Sequence, residues 1–125
     1  MKILTPFLHG VLDYVTVVIF LFAPSVLGLL GIAAMLSYLL AGFHLLMTLL
    51  TDVPLSAAKM VPFSLHGWVE RIVGPVLVIV SFVPMVASST TAMVFFLVMG
   101  IVIIAVGLLT DYSPHSMMSD MGTSV

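Results

Sequence analysis

The chain is a series of long apolar runs separated by short polar breaks. The pattern predicts helices from Thr5 to Phe22, Ile32 to Leu50, Pro62 to Phe82 and Ala92 to Leu109. Each run approaches the ~20 residues that carry a helix across ~30 Å of hydrocarbon. Apolar positions do not alternate with polar ones, so barrel strands are excluded and the spans are helices, whose backbone polar groups are satisfied internally. Thr5 and Pro6 suit an N-cap and a first helical position. Ala23-Pro24-Ser25 is expected to break the first helix, with Val26 to Gly31 as a short apolar turn. Gly74-Pro75 predicts a kink in the third. Asp52 to Val61 is the longest polar connection, and Ser88 to Thr91 forms the last turn. Four helices joined by short turns define an all-α, integral-membrane, up-down four-helix bundle, one domain over 1–113, with a flexible polar tail at 114–125.

The pattern is also written twice. Pro6-Phe7-Leu8-His9-Gly10-Val11-Leu12-Asp13 opens the first half, and Pro62-Phe63-Ser64-Leu65-His66-Gly67-Trp68-Val69-Glu70 opens the second. Leu49-Leu50-Thr51-Asp52 closes the first, and Leu108-Leu109-Thr110-Asp111 the second. Two tandem two-helix repeats, about 3–55 and 60–113, are expected, related by an axis along the membrane normal. Both chain ends and the middle loop then share one side of the membrane.

Composition sharpens this picture. With 62% hydrophobic and 6% charged residues in a chain of 125, too much apolar surface would remain for water to be the solvent. The first run is long, carries Asp13 and lacks a small-x-small cleavage site, so it is read as a retained helix rather than a signal peptide. The absence of cysteine excludes disulfides, iron–sulfur clusters, thiolate metal sites and c-type haem attachment. No basic run is present, which argues against nucleic acid as a partner. Lys2, Lys59 and Arg71 all fall on the side of the termini, and the opposite turns carry no charge. The positive-inside rule makes that side cytoplasmic.

The candidate chemistry lies in the same half. His9, His66 and His44 fall within apolar helices, where ionisable side chains are costly and point to function. His9 and His66 sit at nearly equal depth, about one turn inside their helices. His44 is about 10 Å in from its helix end, and Ile103 occupies the matching position in the second half. Asp13 and Glu70 stand one turn after His9 and His66, on the same helix faces, where each can orient its histidine. Facing imidazoles across a bundle are the arrangement that holds haem b, and Gly10 and Gly67 would make room for the macrocycle. Arg71 needs a partner, with Glu70, Asp13 or a haem propionate available. The expected cofactor is therefore haem b, ligated by His9 and His66, or by His44 with one of them. It would serve electron transfer or redox sensing with quinone or oxygen, in an oxidoreductase or a carrier of electrons. Zinc held by His9, His66 and a carboxylate also fits in ligand type. The tail His115-Ser116-Met117-Met118-Ser119-Asp120-Met121 has soft ligands of the kind that take Cu(I). Thr51-Asp52 and Thr110-Asp111 read as structural caps between helices. Gly100 and Gly107 suggest a close-contact stripe for a homodimer.

The duplicated His-Gly-x-x-acid opening, the proline-broken turn and the Leu-Leu-Thr-Asp ending resemble the SPW-repeat family of small bacterial inner-membrane proteins, over residues 3–113. Where the family has Ser-Pro-Trp, this chain has Ala23-Pro24-Ser25 and Val83-Pro84-Met85, so only the prolines match. The resemblance implies a multi-pass fold in the bacterial inner membrane with both termini cytoplasmic, and implies little about activity. A cofactor-free accessory membrane protein is the competing expectation. A proton or ion carrier using His44 and Asp13 is a third, opposed by the uncharged far half.

Overall fold

A computed structural model describes residues 2–113. The tail with His115 and its methionines lies outside the described residues. Five helices follow in order: α1 (Pro6–Leu27), α2 (Gly31–Leu50), α3 (Phe63–Ser81), α4 (Pro84–Ala87) and α5 (Thr90–Leu109). All but α4 are long and apolar enough to cross a membrane. The protein is an all-α, multi-pass membrane protein, and its lipid-facing positions, among them Val18, Leu39, Ile72 and Ile101, are exposed apolar side chains.

The first helix does not break where the sequence predicts. It runs through Pro24 to Leu27. Proline lacks the N–H that would bond the carbonyl four residues earlier, which here belongs to Phe20. The Ser37 hydroxyl of α2 donates to that carbonyl instead, at 2.6 Å. A neighbouring helix thus satisfies the orphaned group, which is how prolines are accommodated in membrane helices. The helix ends instead at Gly28, whose left-handed backbone (φ 66°) suits a residue without Cβ. In the second half the turn region holds an additional short helix, α4, started by Pro84, and Ser89 caps α5 by accepting from the Ala92 N–H at 3.2 Å.

α1 packs on α2 and α3 packs on α5, giving two helical hairpins. The α3–α5 contact is close because two glycines meet. A Cβ on Gly100 would lie 2.9 Å from the Gly74 carbonyl oxygen, and one on Gly74 would lie 3.1 Å from the Ile104 nitrogen. Gly100 and Gly107 are both buried inside the chain, so the stripe expected to serve a dimer is used for intramolecular packing. Phe20, Ala33, Leu77, Phe96, Met99 and Ile103 form the centre of the apolar core. At the charged end, bridges join Leu4 to Thr110 and Thr51 to Val61. They bring the starts of α1 and α3 beside the ends of α5 and α2.

Candidate metal centre

Four ionisable side chains meet at this end: His9 and Asp13 from α1, His66 and Glu70 from α3. The i, i+4 spacing stacks each acid over its histidine on one helix face. All four are buried, His9 completely. One ligand atom from each lies within 4.8 Å of the other three.

The contacts are reciprocal. Asp13 presents Oδ1 to His9 Nε2 at 3.2 Å and Oδ2 to His66 Nε2 at 3.4 Å. Glu70 presents Oε2 to His9 Nε2 at 3.3 Å and Oε1 to His66 Nε2 at 3.5 Å. The two rings stand nearly perpendicular, 5.3 Å apart. Despite these short distances His9 Nε2 makes no hydrogen bond.

The other ring nitrogens explain why. His9 Nδ1 lies 2.8 Å from Thr110 Oγ1, and His66 Nδ1 lies 2.7 Å from Thr51 Oγ1. Each hydroxyl gives its one proton to a backbone carbonyl, Thr110 to Val106 and Thr51 to Met47. With its proton so engaged, each threonine oxygen can accept from an Nδ1–H, and in that tautomer a neutral imidazole carries its lone pair on Nε2. Two nitrogen lone pairs and four carboxylate oxygens then face one small volume.

The carboxylates have outer partners as well. His44 Nε2 donates to Asp13 Oδ1 at 3.4 Å, and the Thr48 hydroxyl lies 3.4 Å from Oδ2. The Tyr112 hydroxyl donates to Glu70 Oε2 at 3.0 Å. Burial, and then the negative charge of Glu70, push the Tyr112 phenol above its ordinary value, so it remains a donor. Among the described residues no lysine or arginine pairs with Asp13 or Glu70. Lys59 pairs with Asp52 at 3.4 Å, and the Arg71 guanidinium stacks over Trp68 and Tyr112. The expected partnership of Arg71 with an acid is thus replaced by two aromatic faces.

A Cβ on Gly67 would lie 2.7 Å from the Tyr112 ring, and Gly10 faces Leu55 and Val53. The Tyr112 ring thus occupies the space beside Gly67, while a Cβ at Gly10 would meet only ordinary van der Waals contact. The structure brings His9, His66, Asp13 and Glu70 together, keeps His44 in an adjoining position and leaves Arg71 outside. Sequence reasoning missed Thr48, Thr51, Thr110 and Tyr112 as site residues. The duplicated Leu-Leu-Thr-Asp was the available signal for two of them, and it was read as capping only.

Fold and site together define an integral-membrane four-helix protein with a buried cluster of two histidines and two carboxylates. Compared with models of known families, with curated proteins and with solved structures, the chain finds no match.

Proposed function

We propose that this protein is a membrane-embedded metalloprotein that holds one divalent first-row transition ion, such as iron(II) or zinc, between His9, Asp13, His66 and Glu70. One observation carries the reading: both Nε2 atoms converge on the two carboxylates at 3.2–3.5 Å, and His9 Nε2 makes no hydrogen bond there. In a tetrahedral site with bonds of about 2.0–2.1 Å, neighbouring ligand atoms are separated by about 3.3–3.4 Å. The four histidine–carboxylate spacings fall near that value, and one donor atom from each of the four residues lies within 4.8 Å of the other three, which supports a shared ion. The charge argument agrees. Two carboxylates buried in an apolar span need compensation, and a divalent cation supplies it where no lysine or arginine does. Imidazole with carboxylate suits zinc and iron(II), and each ligand carries the outer hydrogen-bond partner usual for metal sites.

The ion would also join the two hairpins, since two ligands come from α1 and two from α3. Metal binding is then folding energy. Haem b would use the same histidines, but the Tyr112 ring packed beside Gly67 favours a single ion. The redox role expected for haem passes to iron in this centre, and the charged end faces the cytoplasm, as the positive-inside rule and the SPW-repeat resemblance imply.

Elemental analysis of the protein purified without chelator tests the reading. About one iron or zinc per chain is expected, and stripping it should lower the melting temperature. At free ion a thousandfold above the dissociation constant, the ion contributes about 4 kcal/mol. Metal-free protein that takes up neither ion would overturn the proposal, and a Soret band in its place would restore haem.

A separate result tests the threonines. Thr51→Val and Thr110→Val remove the acceptors that fix the imidazole tautomers. Each is expected to weaken metal affinity about 10- to 100-fold, as loss of outer-sphere partners does elsewhere. Competition with a chromophoric chelator measures this, and unchanged affinity in both variants would show that the hydroxyls only cap helices.

A further inference from the structure

The surroundings of the cluster are unequal. On one side, Phe63 and Tyr112 pack edge-on or tilted against His9 and each other. On another, a slot lies between α2 and α3. Leu40, Phe43 and Met47 of α2 face Val69 and Val73 of α3 across it, and its polar lining is His44, His66 and Glu70. Phe43 is 46% exposed on the lipid-facing surface, and Leu40, Met47, Val69 and Val73 are half-buried, so the slot opens toward hydrocarbon. Its free interior takes roughly one water-sized group.

We propose that this slot admits a small, uncharged, membrane-soluble molecule of the size of dioxygen, which binds the ion as a fifth ligand. The inference rests on the metal reading above. Size excludes a ring or a lipid head from the interior. Charge excludes an anion, because Glu70 lines the slot and no lysine or arginine does. Apolar walls leading to two metal ligands suit a molecule that partitions into hydrocarbon. A four-coordinate site of this ligand type can expand to five. His44 is the feature that distinguishes this side. It lines the slot while its Nε2 holds Asp13, and the matching residue of the second half, Ile103, lines the same slot without polar atoms. His44 is thus a positioning residue that fixes Asp13 from the slot side.

The test uses the full chain in lipid nanodiscs, loaded with iron(II) under argon, with nitric oxide as the probe. Iron content is measured separately. Wild-type protein is expected to give the electron paramagnetic resonance signal of a high-spin ferrous nitrosyl in proportion to its iron. Leu40→Phe and Val73→Phe fill the slot and leave every donor in place. They are expected to keep their iron and to form the signal about tenfold more slowly or worse, because a close-packed wall leaves no path. Two variants on opposite walls guard against a folding defect in one, and retained iron reports on both. Iron-loaded protein that gives no nitrosyl signal would overturn the inference and leave the metal reading standing. Equal rates in wild type and both iron-bearing variants would also overturn it, since the ligand would then enter elsewhere. Failure of the wild type to bind iron or zinc would remove the metal reading and this inference with it.

Discussion

His9→Ala and His66→Ala are each expected to empty the centre, lowering metal affinity by more than about a hundredfold, beyond the range set by outer-sphere losses. The two should behave alike. Each histidine offers Nε2 to both carboxylates, and each is held at Nδ1 by a threonine from the opposite hairpin. Each change leaves two carboxylates and one imidazole, a weaker set with a hole where a rigid donor stood. His44→Ala should cost less, since its contact with the cluster is a 3.4 Å bond to Asp13. Metal content after dialysis against a graded chelator gives the ranking. An arrangement in which His44→Ala empties the site while His66→Ala does not would place the ion elsewhere, with His44 as its ligand.

Gly100→Leu is expected to separate α3 from α5 and to cost about 3 kcal/mol, the upper end for over-packing. A Cβ at this position would lie 2.9 Å from both the Gly74 oxygen and the Val78 nitrogen. Backbone atoms cannot rotate away, so the helices must part. Close approach through small residues is a main source of helix association in lipid, where apolar side chains gain nothing by leaving water. Denaturation in mixed micelles measures the loss. Gly42→Leu is the control, because nothing lies within 4 Å of a Cβ there. Equal stability of the two variants would show that the α3–α5 contact is not where the bundle draws its strength. Because Glu70 and His66 ride on α3, the Gly100 variant should also hold its metal less tightly.

Several features were readable from particular residues. The apolar runs gave four spans to within a few residues, since lipid permits few alternatives to a helix of that length. The i, i+4 pairs His9/Asp13 and His66/Glu70 were legible because helical spacing alone stacks them. Pro24 misled, because a proline breaks a helix only when nothing else satisfies the freed carbonyl, and Ser37 was thirteen residues further along the chain. The neighbour of Gly67 was not legible either, because the Tyr112 ring that packs beside it comes from the segment beyond the end of α5, far along the chain.

The sequence by itself determined a multi-pass helical protein with its ionisable residues in one half, because burial in lipid and helical periodicity are local properties of the chain. Only the tertiary structure decided what those residues do together. Whether His9 Nε2 meets a flat ring or a pair of carboxylates depends on how α1 lies against α3. Which nitrogen carries the proton depends on a threonine 101 residues away in the chain. Distances of that kind follow from packing between hairpins and leave no imprint on the order of residues.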